Sequence, residues 1–303
     1  MKRREFLALS GAAVAGTAVA PGQGLAMPII DTHAHIYSED DSVYPPVSLP
    51  RRPPGTSGSL TRLEKVTKEN GVSGACIVQP STYYGWDNRY ICDTAARTPV
   101  WTAGGCTLDP DNPESPALLR SMAMQYGIRA LRSHPARDGR MDSPGVDALW
   151  QAAGETGLTV NVLCGRNNTD ALARLLERHP RQQVVIDHCL NLKAGTEMEG
   201  IVSDMVRLAG YPNAHAKLTF LPTGSLEEYP FRDMHEPCRR ILAAYSPGRC
   251  VWGSNFPCEL WTPRSDYGQN LRVFQRELGL DERTQRAVLG ATAQRLYFLA
   301  RHR

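Results

Sequence analysis

Short apolar or alternating runs recur along the chain: PIIDTHAH (28–35), GACIVQ (74–79), VWTAGGC (100–106), IRALRSH (128–134), LTVNVLC (158–164), QVVIDHC (183–189), AHAKLTF (214–220) and RCVWGSN (249–255). Between them, apolar positions repeat at helical spacing. Leu60, Leu63 and Val66 do so before Gly71 can end the helix, and Thr61 with Glu64 has the spacing of a capping box. Further helical stretches are 116–126, 143–156, 168–178, 198–209, 234–245 and 264–279. The last one, 281–300, carries Leu289, Ala293, Leu296 and Ala300 on one side, with Asp281 as its N-cap and Gly290 as a point of kinking or division. Strands that alternate with helices need crossovers and so form a parallel sheet. Eight such units predict an α/β fold, a single-domain (β/α)8 TIM barrel, with an open doubly wound sheet as the fallback. No G-x-G-x-x-G follows the first run and no G-x-x-x-x-G-K-[ST] occurs, which counts against a nucleotide-binding sheet.

The length of 303 residues suits one such barrel, which takes about 250. A formal net charge of +3, with no Lys/Arg block past the start, gives no support for nucleic-acid binding. The start itself, KRREFLALSGAAVAGTAVAPGQGLA, places Arg3 and Arg4 before a short Ala/Gly/Val-rich run with small residues at its end. That pattern is read as a twin-arginine-type signal over 1–26, with the mature barrel over 27–303 in the periplasm or secreted. The run is too short and Gly-rich for a stable span, so no lasting membrane association is expected after processing. Cys76, Cys106, Cys164, Cys189 and Cys250 sit in or beside apolar runs and read as buried thiols; no C-x-x-C pair exists to hold zinc. Residues 38–59, SEDDSVYPPVSLPRRPPGTSGS, form a Pro-rich loop after the first run, at the end of a barrel where a lid would lie.

Barrel chemistry gathers at the C-terminal ends of the strands. The first run ends with Asp31, His33 and His35, and because side chains alternate along a strand all three face one way. Histidines two apart can hold one ion at about 2.0–2.1 Å each. The fourth run places Arg132 and His134 on one face, with Arg129 on the other. An inward Arg is costly to bury without an anion, so it holds either a carboxylate of the substrate or one of the protein. His188 ends the sixth run beside Asp187 and can complete a three-histidine set with one position open for water. His215 and Lys217 share a face of the seventh run, and Lys217 can stabilise developing negative charge. After the second run, Gln79, Ser81, Tyr83 and Asn88 offer hydrogen bonds to a ligand. His179, His235 and His302 fall on helices or helix ends and read as surface or packing residues.

Taken in order, the motifs DTHAH, VQPSTYYGWDNRY, GIRALR, VVIDHC, AKLTF, VWGSNFP and VLGATAQRLYFL resemble the amidohydrolase superfamily, in particular its amidohydrolase-related branch of pyrone-dicarboxylate and sugar lactonases. The resemblance implies a hydrolase of cyclic esters, with His33, His35 and His188 at the reacting centre. These three would bind a divalent metal, zinc above all, or act bare on the carbonyl, since members of the branch differ on metal. Arg132, Tyr83 and Tyr44 would grip a small anionic substrate. One departure stands out: the family's last motif is G-[ST]-D-W-P, whose Asp takes a proton from water, and this chain has Asn255 there. A carboxamide has no basic site near neutral pH. Either His215, His134 or Asp187 replaces that base, or Asn255 orients substrate for another step. The alternatives are a metal-dependent decarboxylase of the same superfamily, which Asn255 does not favour, and, because Asn255 replaces the expected Asp, a catalytically weak periplasmic binding protein on the same barrel. A homo-oligomer is compatible with the sequence.

Overall fold

The computed structural model describes residues 28–299; the signal read over 1–26 and His302 lie outside them. Eight strands form one parallel sheet in chain order: β1 (Ile29–Ala34), β2 (Val72–Val78), β3 (Thr102–Thr107), β4 (Ala130–Ser133), β5 (Thr159–Val162), β6 (Val184–Ile186), β7 (Ala214–Lys217) and β8 (Cys250–Val251). Each lies within or overlaps one of the eight sequence runs. Backbone bonds from Thr32 N to Trp252 O, Asn255 N to His33 O and His35 N to Phe256 O join the ends, so the sheet closes into the expected (β/α)8 barrel. Asp31 reinforces that seam. Its buried carboxylate accepts from Ser254 Oγ at 2.5 Å, Ser254 N at 2.9 Å, Tyr267 Oη at 3.0 Å and His33 N at 3.0 Å.

This corrects the shared face assigned to Asp31, His33 and His35. Pairing of β1 with β2 shifts register between Asp31 and Ala34. Ile30 belongs to the inner cluster, whereas Ala34 and Ile36 pack in the outer one. A bulge of this kind re-aims side chains. It turns Asp31 to the seam and His33 and His35 to the barrel mouth.

The inner cluster is built from Ile30, Cys76, Ala103, Ala130, Val185 and Val251 of the strands. Ala293, Leu296 and Tyr297 from the C-terminal stretch plug it, and Tyr297 Oη donates to Asn161 Oδ1 at 2.7 Å. Gly290 lies where this stretch meets the start of the barrel. A Cβ there would stand 1.9 Å from Pro28 O, so close approach is what requires the glycine. The surrounding segments Ala287–Ala291 and Gln294–Phe298 form wide π-helical turns.

The first helix begins at Leu60 with Ser59 as its cap, its hydroxyl accepting from Arg62 N at 3.2 Å; the cap expected at Thr61 lies inside the helix. Two helices, Ser81–Tyr84 and Arg89–Arg97, lie outside the helical stretches predicted from sequence. The Pro-rich loop is fastened to the first of them by Val47 N to Tyr83 O and Arg51 N to Thr82 O. All eight cysteines are free and buried. Among the described residues no helix is long and apolar enough to cross a membrane.

Candidate active site

A cavity of about 380 Å³ opens at the C-terminal mouth. His33 and His35 from β1, Arg132 from β4, His188 after β6 and Asn255 after β8 all line it. The His33 ring stands 4.8 Å from His35 and 4.6 Å from His188, centroid to centroid, both edge to face. The three imidazoles therefore converge from two distant strands. Ser81, Thr82, Leu163, Lys193 and Trp261 complete much of the wall. No Asp or Glu lines it among the described residues.

Under the floor lies a fully buried charge cluster. Asp187 pairs with Lys217 Nζ at 2.8 Å and accepts from Arg132 Nε at 3.2 Å. Burial alone would raise the Asp187 pKa, but Lys217 and Arg132 more than reverse this and hold it below the usual carboxylate value. Arg132 thus meets a carboxylate of the protein itself and also lines the cavity. Lys217 Nζ further lies 3.4 Å from His33 Nδ1. An ammonium only donates, so this contact leaves the proton of a neutral His33 on Nε2, a buried atom with no partner.

Burial, the largest cause, keeps all three imidazoles neutral. The His33 pKa falls well below 6.5, with Lys217 adding to the effect. His35 falls to about 3, with Arg132 the next cause. His188 falls to about 4, against a partial upward pull from Asp187. His35 Nδ1 lies 2.7 Å from Val78 O, and a carbonyl only accepts. The ring proton of His35 is therefore on Nδ1, and Nε2 carries the lone pair.

His188 reaches the centre from an unusual backbone. It opens a left-handed turn, with φ of 52°, 49°, 60° and 58° at His188, Cys189, Leu190 and Asn191. Each L-residue in that conformation costs roughly 1–2 kcal/mol. The turn is tied down by Leu192 N to His188 O, Cys189 Sγ to Lys217 O and Asn191 Nδ2 to Cys164 O. Sequence reading missed it, because no glycine marks the positive φ. Asn255, also at positive φ (58°), donates its carboxamide to Thr219 O at 2.8 Å, which leaves Oδ1 as its free acceptor. Gly253 is required by crowding: a Cβ there would fall 2.7 Å from His33 Cβ and 2.9 Å from Thr219 Cγ2.

Other residues picked from sequence are engaged elsewhere. Tyr83 Oη donates to Asp41 Oδ1 at 2.9 Å, and Tyr44 Oη donates to Asp93 Oδ2 at 2.7 Å; neither lines the cavity. Gln79 is buried and donates to Gly85 O and Asp87 O, holding the loop after β2. Asn88 pairs with the Thr107 backbone. His215 sits within 3.3 Å of Val184 O and Asn213 O, at the opposite end of β7 from the centre, so it is not placed to act as base. His134 is part-buried, with its Nε2 buried and unpartnered, and lies outside the cavity wall. No residue of 38–59 lines the cavity. Instead the Arg51 guanidinium stacks 4.2 Å from the Trp261 ring, so this loop supports the wall from behind.

The donors fit a divalent ion. Ligand atoms of His33, Asp187 and His188 all lie within 4.8 Å of one another, and neutral imidazoles are the form that binds metal. Asp187 enters this compact set, whereas His35 stands beside it with Nδ1 held on Val78 O. Lys217, 2.8 Å from Asp187, is a cation the ion would have to displace.

Comparison with known proteins agrees with the geometry. The chain is 30% identical over 288 residues to L-fucono-1,5-lactonase of Burkholderia ambifaria, covering 90% of this chain and 96% of that protein. Its fold matches a protein of Pseudomonas putida assigned as a 2-pyrone-4,6-dicarboxylic acid hydrolase (TM-score 0.73, 24% identity, 90% and 98% of the two chains). It also matches an amidohydrolase of Burkholderia multivorans with bound zinc (TM-score 0.72, 20% identity, 90% and 100%). The amidohydrolase family pattern spans residues 30–299, and the chain belongs to that family.

Proposed function

We propose that this amidohydrolase is a lactonase that opens a small lactone bearing an anionic group. The observation that carries the reading is the cavity itself: three neutral imidazoles face a space lined by Arg132 and Lys193 and by no carboxylate. Kinship to a curated lactonase supports the reaction class. The lactone carbonyl oxygen accepts from His33 Nε2–H, whose ring is polarised by Lys217 through Nδ1. Asn255 Oδ1 accepts from the attacking water and orients it. His35 Nε2, left unprotonated by the bond to Val78 O, takes the proton of that water as it attacks and passes it to the ring oxygen as the acyl C–O bond breaks, so the imidazolium that burial disfavours does not accumulate. A general base is thereby restored without a carboxylate at 255. Arg132 and Lys193 hold the anionic group.

A divalent ion such as zinc would be held by His33, His188 and Asp187 and would supply Lewis-acid chemistry at the centre. The Lys217 contacts favour a second reading, in which the ammonium and His33 polarise the carbonyl alone. Metal analysis of purified protein separates the two. We further propose that residues 1–26 direct export to the periplasm, on the strength of Arg3, Arg4 and the short run that follows. Replacing both arginines by lysine should then keep the protein in the cytoplasm on cell fractionation. The lactonase reading is tested with a panel of carboxylated and neutral lactones, following acid release and, in parallel, CO2. Ring opening of carboxylated members is the expected result. CO2 release from an unsaturated carboxylic acid would move the assignment to a decarboxylase, and calorimetric binding with no product would move it to a binding protein.

A further inference from the structure

Thr219 touches both groups whose orientation decides what the centre can do. Its hydroxyl lies 2.6 Å from His188 Nδ1, and its carbonyl accepts from the Asn255 carboxamide at 2.8 Å. Neither partner is held by ordinary backbone preference, since both sit at positive φ. Such positions persist only where the surroundings over-determine them. Thr219 is itself fully buried, and the absence of a Cβ at Gly253 leaves room for its methyl group beside β1. Cys189 Sγ donates to Lys217 O, so the left-handed turn is tied to the end of β7 on both sides of Leu218. Thr219 does not line the cavity, so its influence passes through its neighbours.

We propose that Thr219 is a positioning residue of the centre. Its hydroxyl engages Nδ1 and so fixes the ring orientation of His188, leaving Nε2 for the cavity. Its carbonyl fixes the carboxamide of Asn255 with Oδ1 toward the water. One residue thus sets both His188 and Asn255, the latter standing where the family's carboxylate is missing. Only the kinetic part of the test rests on the lactonase reading.

Thr219→Val keeps the shape and the carbonyl bond but removes the hydroxyl, and Thr219→Ser restores it. Both are compared with the wild-type full chain for kcat and KM on a carboxylated lactone, for melting temperature, and for imidazole nitrogen NMR. The His188 signal is assigned by its loss in His188→Gln. The expected result for Thr219→Val is a kcat lowered about 10–100-fold, the usual range for partners that orient ligating histidines. Its KM stays within about twofold, and the His188 Nδ1 signal shifts as that nitrogen loses its hydrogen bond. Thr219→Ser returns both readouts to near wild type. Wild-type kcat and an unchanged His188 signal in Thr219→Val would overturn the proposal, as would failure of serine to restore either. If the wild type opens no lactone, the functional reading fails, and the His188 signal alone decides the role of Thr219.

Discussion

Asn255 shows how far single residues could be read. Its mismatch with the family motif was visible in sequence, but its bond to Thr219 O was not, because that partner lies 36 positions away. The bond makes a prediction. In Asn255→Asp a carboxylate oxygen replaces the NH2 group and faces the carbonyl at the same distance, so the orientation is lost. Rates of lactone opening should not rise in this variant; a gain of about 100-fold, the lower end of what a positioned base supplies, would show that the chain lacks a base. Arg132 gives a second prediction. Arg132→Met leaves Asp187 paired with Lys217, so the fold should persist while kcat/KM on carboxylated lactones falls about 100-fold or more. The larger loss is what removing one member of a buried charge pair to substrate costs, and neutral lactones, with no charge for Arg132 to pair, should lose less than about tenfold. The three histidines were legible because H-x-H and a strand-end His are local patterns. Tyr83 and Gln79 stand out in sequence for hydrogen-bonding capacity and Tyr44 through the resemblance, and neither names a partner: the two tyrosines meet Asp41 and Asp93, and Gln79 meets backbone carbonyls.

At the scale of elements, the eight strands were readable because apolar runs bounded by polar ends repeat at regular intervals. The helix Arg89–Arg97 was not, because its buried residues Ile91, Cys92, Thr94 and Ala95 follow a polar and aromatic stretch that hides the period. The bulge in β1 was equally hidden, since register depends on how β2 and β8 pair with it rather than on β1 alone. Gly290 was taken as a kink, and its actual constraint is the carbonyl of Pro28. Gly290→Ala should accordingly destabilise by about 1–3 kcal/mol, the usual cost of forcing an extra carbon into a packed contact. Differential scanning calorimetry measures this; an unchanged or raised melting temperature would contradict the contact.

Across the whole molecule, closure of the barrel converts one-dimensional spacing into a shared centre, and burial sets its protonation. The same burial links stability to pH. His35 and His188, with folded pKa values of about 3 and about 4, stay neutral in the folded chain and protonate near 6.5 when unfolded. Their neutral state therefore adds no penalty above about pH 6.5. As pH falls below that value the unfolded chain takes up the protons first, and each such imidazole removes about 1.4 kcal/mol of stability per pH unit until its folded pKa is reached. Melting temperature should decline steadily from pH 6.5 toward 4, and a flat profile there would mean the imidazoles are already charged or exposed. The catalysis proposed, with or without an ion, depends on His33 and His35 acting together in one cavity. The most direct measurement is the rate of lactone opening by His35→Gln against wild type, with folding checked by circular dichroism. A loss of at least about 100-fold in a folded variant is predicted, on the scale of misplacing one group at a reacting centre. Wild-type turnover in that variant would contradict the account.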